Sequence, residues 1–240
     1  MPRFFIDRPV VDFFRVTGKD ARHIEKSLRM RTREVLTLCH GGVDYICEIA
    51  NFEKDSVVVE LVSSKKNTAE PKTSVTLLYS LPKGDKMDLV VQKAVEVGVC
   101  AILPVLTKRC VSRPDEKTLQ KKVQRWQKIA QEAAQQSGRG AIPKVCEAMD
   151  FSQALNVGAQ SEKAILFYEG GGKPLGQLLA KKPESVSIFI GPEGGFDEDE
   201  VQLAKEKGLE VCSLGERILR TETAAIVASA LTIYETDKTT

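Results

Sequence analysis

The chain has 240 residues, of which 42% are hydrophobic and 28% charged, with a formal net charge of +2. That is the make-up of an ordinary globular protein, long enough for one large domain or two smaller ones. It excludes a disordered, collagenous or helical membrane chain, because no apolar run reaches the roughly 18 residues of a membrane span.

The first ten residues, MPRFFIDRPV, hold no apolar leader core, so no secretory signal is expected. The six cysteines are scattered without C-x-x-C spacing, and His23 and His40 are the only histidines. Reduced thiols, a cytoplasmic location and no metal site are the expectation. Residues 1–70 then read as short β-type runs, RFFI, EVLTLCH, DYICEIANF and SVVVELV, broken by His40-Gly41-Gly42 and Glu53-Lys54-Asp55. One helix is expected over 18–30, with Ala21, Ile24 and Leu28 at helical spacing. The pattern is that of a small β-barrel-like domain, and the polar stretch 63–73 reads as a linker.

From residue 71 to 240, strands and helices alternate. Strands are expected at 74–81, 100–107, 163–169, 185–191 and 210–215. Helices are expected at 86–97, 115–137, 174–181, 197–207 and 221–234. Near-continuous apolar strands alternating with helices indicate an α/β domain with a parallel sheet covered on both faces. Trp126 falls on the apolar face of the long helix and reads as core. The last helix, TETAAIVASALTIY, is apolar or small around most of its circumference and should be buried on more than one side.

Charge is unevenly spread. Residues 73–144 carry 13 basic and 6 acidic residues, whereas 145–240 carry 9 and 16. A further run, RHIEKSLRMRTR at 22–33, sets five basic residues against Glu25. Such clustering is the footprint of a phosphate-backbone partner, and also of a merely solvated basic face.

The glycine-rich turns come late: YEGGG (168–172), GPEGG (191–195) and LGERILRTETA (214–224) each follow one of the last three strands. A dinucleotide fingerprint would instead follow the first strand, which here runs into SLPKGDKMD. A Rossmann oxidoreductase is therefore disfavoured. Loops at the carboxyl ends of neighbouring parallel strands converge on one crevice. The stretch IGPEGGFDEDEV (190–201) raises two readings, acids charging a helix N-terminus and glycines admitting a ligand to the backbone.

These residues carry a resemblance. RFF (3–5), HIEKSLR (23–29), LPKGDKMDLVVQKAVEVGVCAILPVLTKR (81–109), AQQSGR (134–139), FIGPEGGF and LGERILRTETAA together resemble the SPOUT superfamily of RNA methyltransferases. More narrowly, they resemble the bacterial 16S rRNA (uracil-N3)-methyltransferase family, RsmE. The resemblance implies a C-terminal SPOUT domain over 71–240 with a parallel sheet and a deep trefoil knot. It implies an N-terminal PUA-like RNA-binding β-barrel domain over 1–70. Methyl transfer from S-adenosylmethionine to N3 of a uridine in 16S rRNA, free or in the assembled small subunit, is the implied reaction, performed by a homodimer without metal. The alternative is an RNA-binding or ribosome assembly factor that keeps the fold without catalysis.

The resemblance also implies site residues. Gly191, Pro192, Glu193, Gly194 and Gly195, with Leu214, Gly215, Ile218, Leu219, Thr223 and Ala224, would wrap the cofactor. Phe167, Tyr168 and Glu169 would complete the pocket. Arg220 and Glu222 adjoin it, and Glu222 is the leading candidate for the base that removes the N3 proton; its structural alternative is a helix-capping role with Thr221. Arg3, Arg22, Arg29 and Arg31 in the first domain, and Lys83, Lys86, Arg109 and Arg139 in the second, would contact RNA. Three positions depart from the family pattern: Arg33-Glu34 replaces a common Gly-Asp, Gln135 stands for a common Glu, and Cys110 for a common Ser, which argues against an essential hydroxyl there.

Overall fold

The computed structural model describes residues 1–238. The chain packs as two compact units: Met1–Glu70 with Ala134–Ala141, and Pro71–Ala133 with Ile142–Thr240. Residues 134–141, expected beside the helices of the second domain, group with the first unit because Glu70 accepts hydrogen bonds from the Arg139 side chain (2.6 and 2.9 Å) and from the Gly140 and Ala141 N–H groups (2.9 and 3.2 Å).

The first unit contains β1 (Arg3–Phe5), β2 (Phe13–Thr17), α1 (Gly18–Arg22), β3 (Val35–His40), β4 (Val43–Glu53) and β5 (Ser56–Lys66). The strands form one mixed sheet in the order β1-β3-β4-β5-β2. Alternation sets the faces: Phe14 and Val16 of β2 point into a core with Phe4, Leu36, Leu38, Ile49 and Val59, while Phe13 and Arg15 point out. Two register shifts between β4 and β5 mark bulges that add twist. Strand β2 had no clear sequence signal. The helix expected over 18–30 is shorter, α1 followed by a single π turn at His23–Ser27, and it ends before Arg29, whose φ is 50°.

The expected linker is tied down as well. Strand β5 runs on to Lys66, and Asn67 Nδ2 reaches Asp44 at 3.1 Å and the Gly138 carbonyl at 3.0 Å. Asp44 in turn accepts both Arg3 guanidinium nitrogens at 2.6 Å, and its side chain is only 6% exposed. Burial works against that carboxylate, but the hydrogen bonds from Arg3 and Asn67 prevail and hold its pKa below the ordinary range.

The second unit contains β6 (Ser74–Ser80), α2 (Lys86–Val97), β7 (Ala101–Leu106), α3 (Glu116–Ser137), β8 (Lys144–Val145), β9 (Met149–Asp150), α4 (Phe151–Gly158), β10 (Lys163–Phe167), α5 (Leu175–Leu178), β11 (Ser185–Ile190), α6 (Glu198–Glu206), β12 (Glu210–Cys212) and α7 (Thr221–Asp237). Its seven strands are all parallel, ordered β12-β10-β11-β6-β7-β8, with β9 also on β7. Buried Leu77, Leu78, Ile102, Ile165, Leu166, Ile188 and Phe189 explain the unbroken apolar strands. Trp126 is 3% exposed and donates to Asp88 Oδ1 at 3.0 Å, a core position as expected. Helix α4 went unread, although Asp150 and Gln153 form a capping box at its start, a pattern visible in the sequence. Helix α7 buries Ala225, Ala228, Ser229, Thr232 and Ile233 but exposes Leu231 and Tyr234, at 40% and 61%.

The Arg3–Asp44 pair yields a prediction for the first unit. Asp44→Asn leaves a buried guanidinium without its counter-charge and should destabilise the unit by about 3–5 kcal/mol. Because the folded pKa of Asp44 is depressed, its stabilisation is complete above the unfolded value of about 4 and is lost as pH falls through the folded value. Amide hydrogen exchange in β3–β5 across acid pH should show this loss in the native chain and not in the variant.

Candidate functional site

Strands β12, β10 and β11 are neighbours whose ends lie level, with Phe167 in register with both Cys212 and Ile190. Their three following loops therefore emerge side by side at the carboxyl edge of the sheet. The next strand, β6, adds a fourth loop, which ends in Lys86 at the start of α2. These loops enclose a cavity of about 460 Å³, within the range of small-molecule sites. Phe167, Ile190, Leu214, Ile218 and Leu219 supply apolar walls.

Most residues expected at the cofactor site line this cavity: Phe167, Tyr168, Glu169, Gly191, Pro192, Glu193, Gly195, Leu214, Gly215, Ile218, Leu219 and Ala224. Gly194 and Thr223 do not. The two adjacent glycines differ physically. Gly195 has φ 68°, and a Cβ there would collide with Glu169 Oε1. A Cβ on Gly194 would meet only the Arg109 side chain, at an ordinary 3.5 Å.

The acids that follow have a capping role. The Asp197 side chain accepts from the Asp199 N–H at 3.3 Å, and the Asp197 N–H donates to Glu200 Oε2 at 3.0 Å. Glu200, though only 4% exposed, also accepts the Lys108 N–H at 2.8 Å, which fixes the loop after β7 to α6. Arg109 braces the same region, donating to the Gly194 carbonyl at 2.9 Å and pairing with Asp197 at 3.2 Å.

At the cavity wall, Lys86 Nζ lies 3.0 Å from Glu193 Oε1 and 3.2 Å from Glu222 Oε2. Glu193 also accepts the Lys83 N–H at 3.0 Å. Burial opposes ionisation of Glu193, yet its own N–H, Lys86 and Lys83 outweigh it and hold its pKa low. Glu222 is likewise held below the ordinary carboxylate range, by its own backbone N–H and then by Lys86. Lys86 is pushed up, chiefly by its bond to Glu193. Arg217, Arg220 and Thr221 complete the wall.

The arginines and lysines read as RNA contacts separate into distinct groups. Arg22, Arg29 and Arg31 are exposed, and so is Lys83. Arg3 and Arg139 are corrected: Arg3 is committed to Asp44, and Arg139, 2% exposed, to Glu70. Lys86 and Arg109 belong to the cavity and its bracing. The sequence reading missed Lys86, Ile190, Ser213, Arg217 and Thr221 as lining residues; Lys86 follows the first strand of the sheet, and only strand order puts it beside the last loops. Cys110 is buried and hydrogen-bonded to Thr107 Oγ1 at 3.2 Å. No cluster of potential metal ligands exists among the described residues, and no helix is long and apolar enough to cross a membrane.

A parallel sheet whose late loops fold around a nucleoside-sized cavity defines a class, and residues 69–233 match the family model described as an RNA methyltransferase domain. Over its full length the chain is similar to ribosomal RNA small subunit methyltransferase E of Bacillus subtilis, at 34% identity covering 99% of this chain and 98% of that protein. The protein of the same name from Mesomycoplasma hyopneumoniae is 33% identical over 94% and 96%. The chain belongs to this methyltransferase E family. A ribosomal RNA small subunit methyltransferase E from Neisseria gonorrhoeae, solved with bound S-adenosylmethionine, superposes with a TM-score of 0.87 at 32% identity, covering 96% of each chain. A Legionella pneumophila structure with the same bound cofactor gives 0.85 at 30% identity, also over 96% of each.

The cavity fits such a molecule: apolar walls suit an adenine, and at Gly195 the backbone itself, at positive φ, forms part of the lining. Gly195→Ala must hold an alanine at positive φ, a backbone strain of order 1–3 kcal/mol, and push aside the Glu169 carboxylate, itself part of the cavity lining. Calorimetric titration with S-adenosylmethionine should show affinity down by roughly ten-fold or more. Gly194→Ala should bind as the native chain does.

Proposed function

We propose that this chain transfers a methyl group from S-adenosylmethionine to N3 of a uridine in 16S rRNA of the small ribosomal subunit. One observation carries the reading: the four adjacent strand ends β12, β10, β11 and β6 bring a cofactor-sized cavity and a lysine–carboxylate cluster to one place. Family membership and the names of the relatives support the rRNA substrate. Uridine N3 as the target rests on the resemblance and on the chemistry the cluster suits.

Uridine N3 carries a proton at neutral pH and is a poor nucleophile until that proton leaves. S-adenosylmethionine supplies an electrophilic methyl group on a positively charged sulfur. The chain must hold it, exclude water from it, and stabilise the negative charge that ionisation leaves on the uracil ring. The glycine loops and apolar walls serve the first two needs. Arg220 and Arg217 stand at the rim, suited to phosphate or to a carbonyl oxygen. The resemblance makes Glu222 the expected acceptor of the proton, but a carboxylate held low by its own backbone N–H and by a lysine is a weak base at neutral pH.

The same reading includes a trefoil knot in the second unit and a PUA-like RNA-binding role for the first. Exposed Arg22, Arg29 and Arg31 support the latter, since phosphates demand accessible cations. It includes a homodimer in the cytoplasm, with exposed Leu231 and Tyr234 of α7 suited to an interface.

Small-subunit rRNA from cells lacking the protein should be missing one N3-methyluridine, which purified protein with S-adenosylmethionine restores. Mass mapping to another base or another ring atom would overturn the assignment. The pH dependence is also specified. Glu222, its pKa lowered by its own backbone N–H and by Lys86, is ionised throughout the neutral range, so a single-turnover rate that rises through neutral pH must follow the uridine proton. A rate that is flat across neutral pH would contradict this.

A further inference from the structure

We propose that Lys86, clamped by Glu193 and Glu222 on the wall of the cofactor cavity, is the catalytic residue that stabilises the uracil anion by donating to a ring carbonyl oxygen. This rests on the uridine-N3 reading above.

An ammonium has three N–H donors. One of those on Lys86 is donated to Glu193 Oε1 at 3.0 Å, and Glu222 Oε2 lies 3.2 Å from the same nitrogen as an ion-pair partner. The side chain is 33% exposed and lines the cavity, which leaves donor capacity for a ligand. Lysine stems are flexible, and an unanchored ammonium would have to be ordered during the reaction. Two carboxylates from different elements, the loop after β11 and the first turn of α7, remove that need.

The surrounding charges make the contact necessary rather than incidental. Lys86, Arg217, Arg220, Glu169 and Glu193 line the cavity, and Glu222 adjoins it through Lys86. Three positive and three negative groups nearly cancel at a distance, so an anion gains chiefly by touching a cation directly. Arg217 and Arg220 are exposed and suit phosphate; Lys86 is the cation held in place by two carboxylates. Its raised pKa keeps it charged as pH rises toward uridine ionisation. Glu222 then acts as a positioning residue and water takes the proton. The N3 electron pair forms the bond to the methyl carbon, and the carbon–sulfur pair stays on sulfur, so charge and atoms balance.

The test uses the full-length protein and small-subunit rRNA carrying uridine or 5-fluorouridine, whose N3 is more acidic, at the mapped position. Lys86→Met should slow single-turnover methylation by about 10²-fold at neutral pH, with calorimetric affinity for S-adenosylmethionine unchanged. The deficit should shrink with rising pH and with 5-fluorouridine, and Lys86→Arg should recover part of it. Without any turnover, the fluorine resonance of RNA bound to cofactor-free protein should report an N3 pKa higher in Lys86→Met by roughly two pH units, the equivalent of that rate. A deficit constant across pH and both substrates, or one explained by lost cofactor affinity, overturns the proposal. So does a larger loss in Glu222→Gln than in Lys86→Met, which would restore the carboxylate as base. A wild-type product other than N3-methyluridine removes the parent reading itself.

Discussion

The Gly191 carbonyl, at the end of β11, accepts a hydrogen bond from Thr221 Oγ1 at 2.5 Å, and the same hydroxyl is hydrogen-bonded to Tyr79 Oη of β6 at 3.2 Å. Thr221 is 6% exposed and Tyr79 fully buried. A buried carbonyl without a donor costs about 1–3 kcal/mol, so this hydroxyl fixes the start of α7 to the ends of two strands. Burial raises the Tyr79 pKa and keeps its phenol neutral there. The loop that begins at Gly191 and the turn that ends at Arg220 are thereby held against one another, and Glu193 and Glu222 come within reach of one lysine. The geometry of the site descends from that contact.

Charged side chains divide by burial rather than by type. Arg3 and Arg139 each lie in an ion pair that ties distant parts of the first unit together, with Arg139 itself buried, while Arg22, Arg29 and Arg31 of the same unit are exposed. The same division runs through the acids after β11: Asp197 caps α6, Glu200 pins the loop after β7, and Asp199 lies at the surface with Lys108. The two readings of IGPEGGFDEDEV thus fall on different residues: Gly195 lines the cavity, and Asp197 and Glu200 cap the helix.

The sequence by itself determined the kind of fold. Period-2 alternation in residues 1–70 and unbroken apolar strands alternating with helices from 74 onward follow from burial on one face or two, and local periodicity records that directly. It also determined where the ligand loops are, because glycine clusters after the last three strands need no tertiary knowledge to be seen. The short strands β2, β8 and β9 lay below that threshold, since a few residues with mixed polarity carry no period.

Tertiary structure decided the rest. Strand order β12-β10-β11-β6 sets Lys86, from the first strand's loop, beside loops more than a hundred residues later, and no spacing rule encodes that neighbour. Burial of Arg3 and Arg139 depended on finding Asp44 and Glu70 across the first unit. Gly194 and Gly195 are the same letter side by side; only the backbone angle and the position of Glu169 distinguish them. Sequence fixes what a residue is able to do locally, and three-dimensional packing selects its partner, because charge and hydrogen-bonding energies depend on distances that the linear order does not contain.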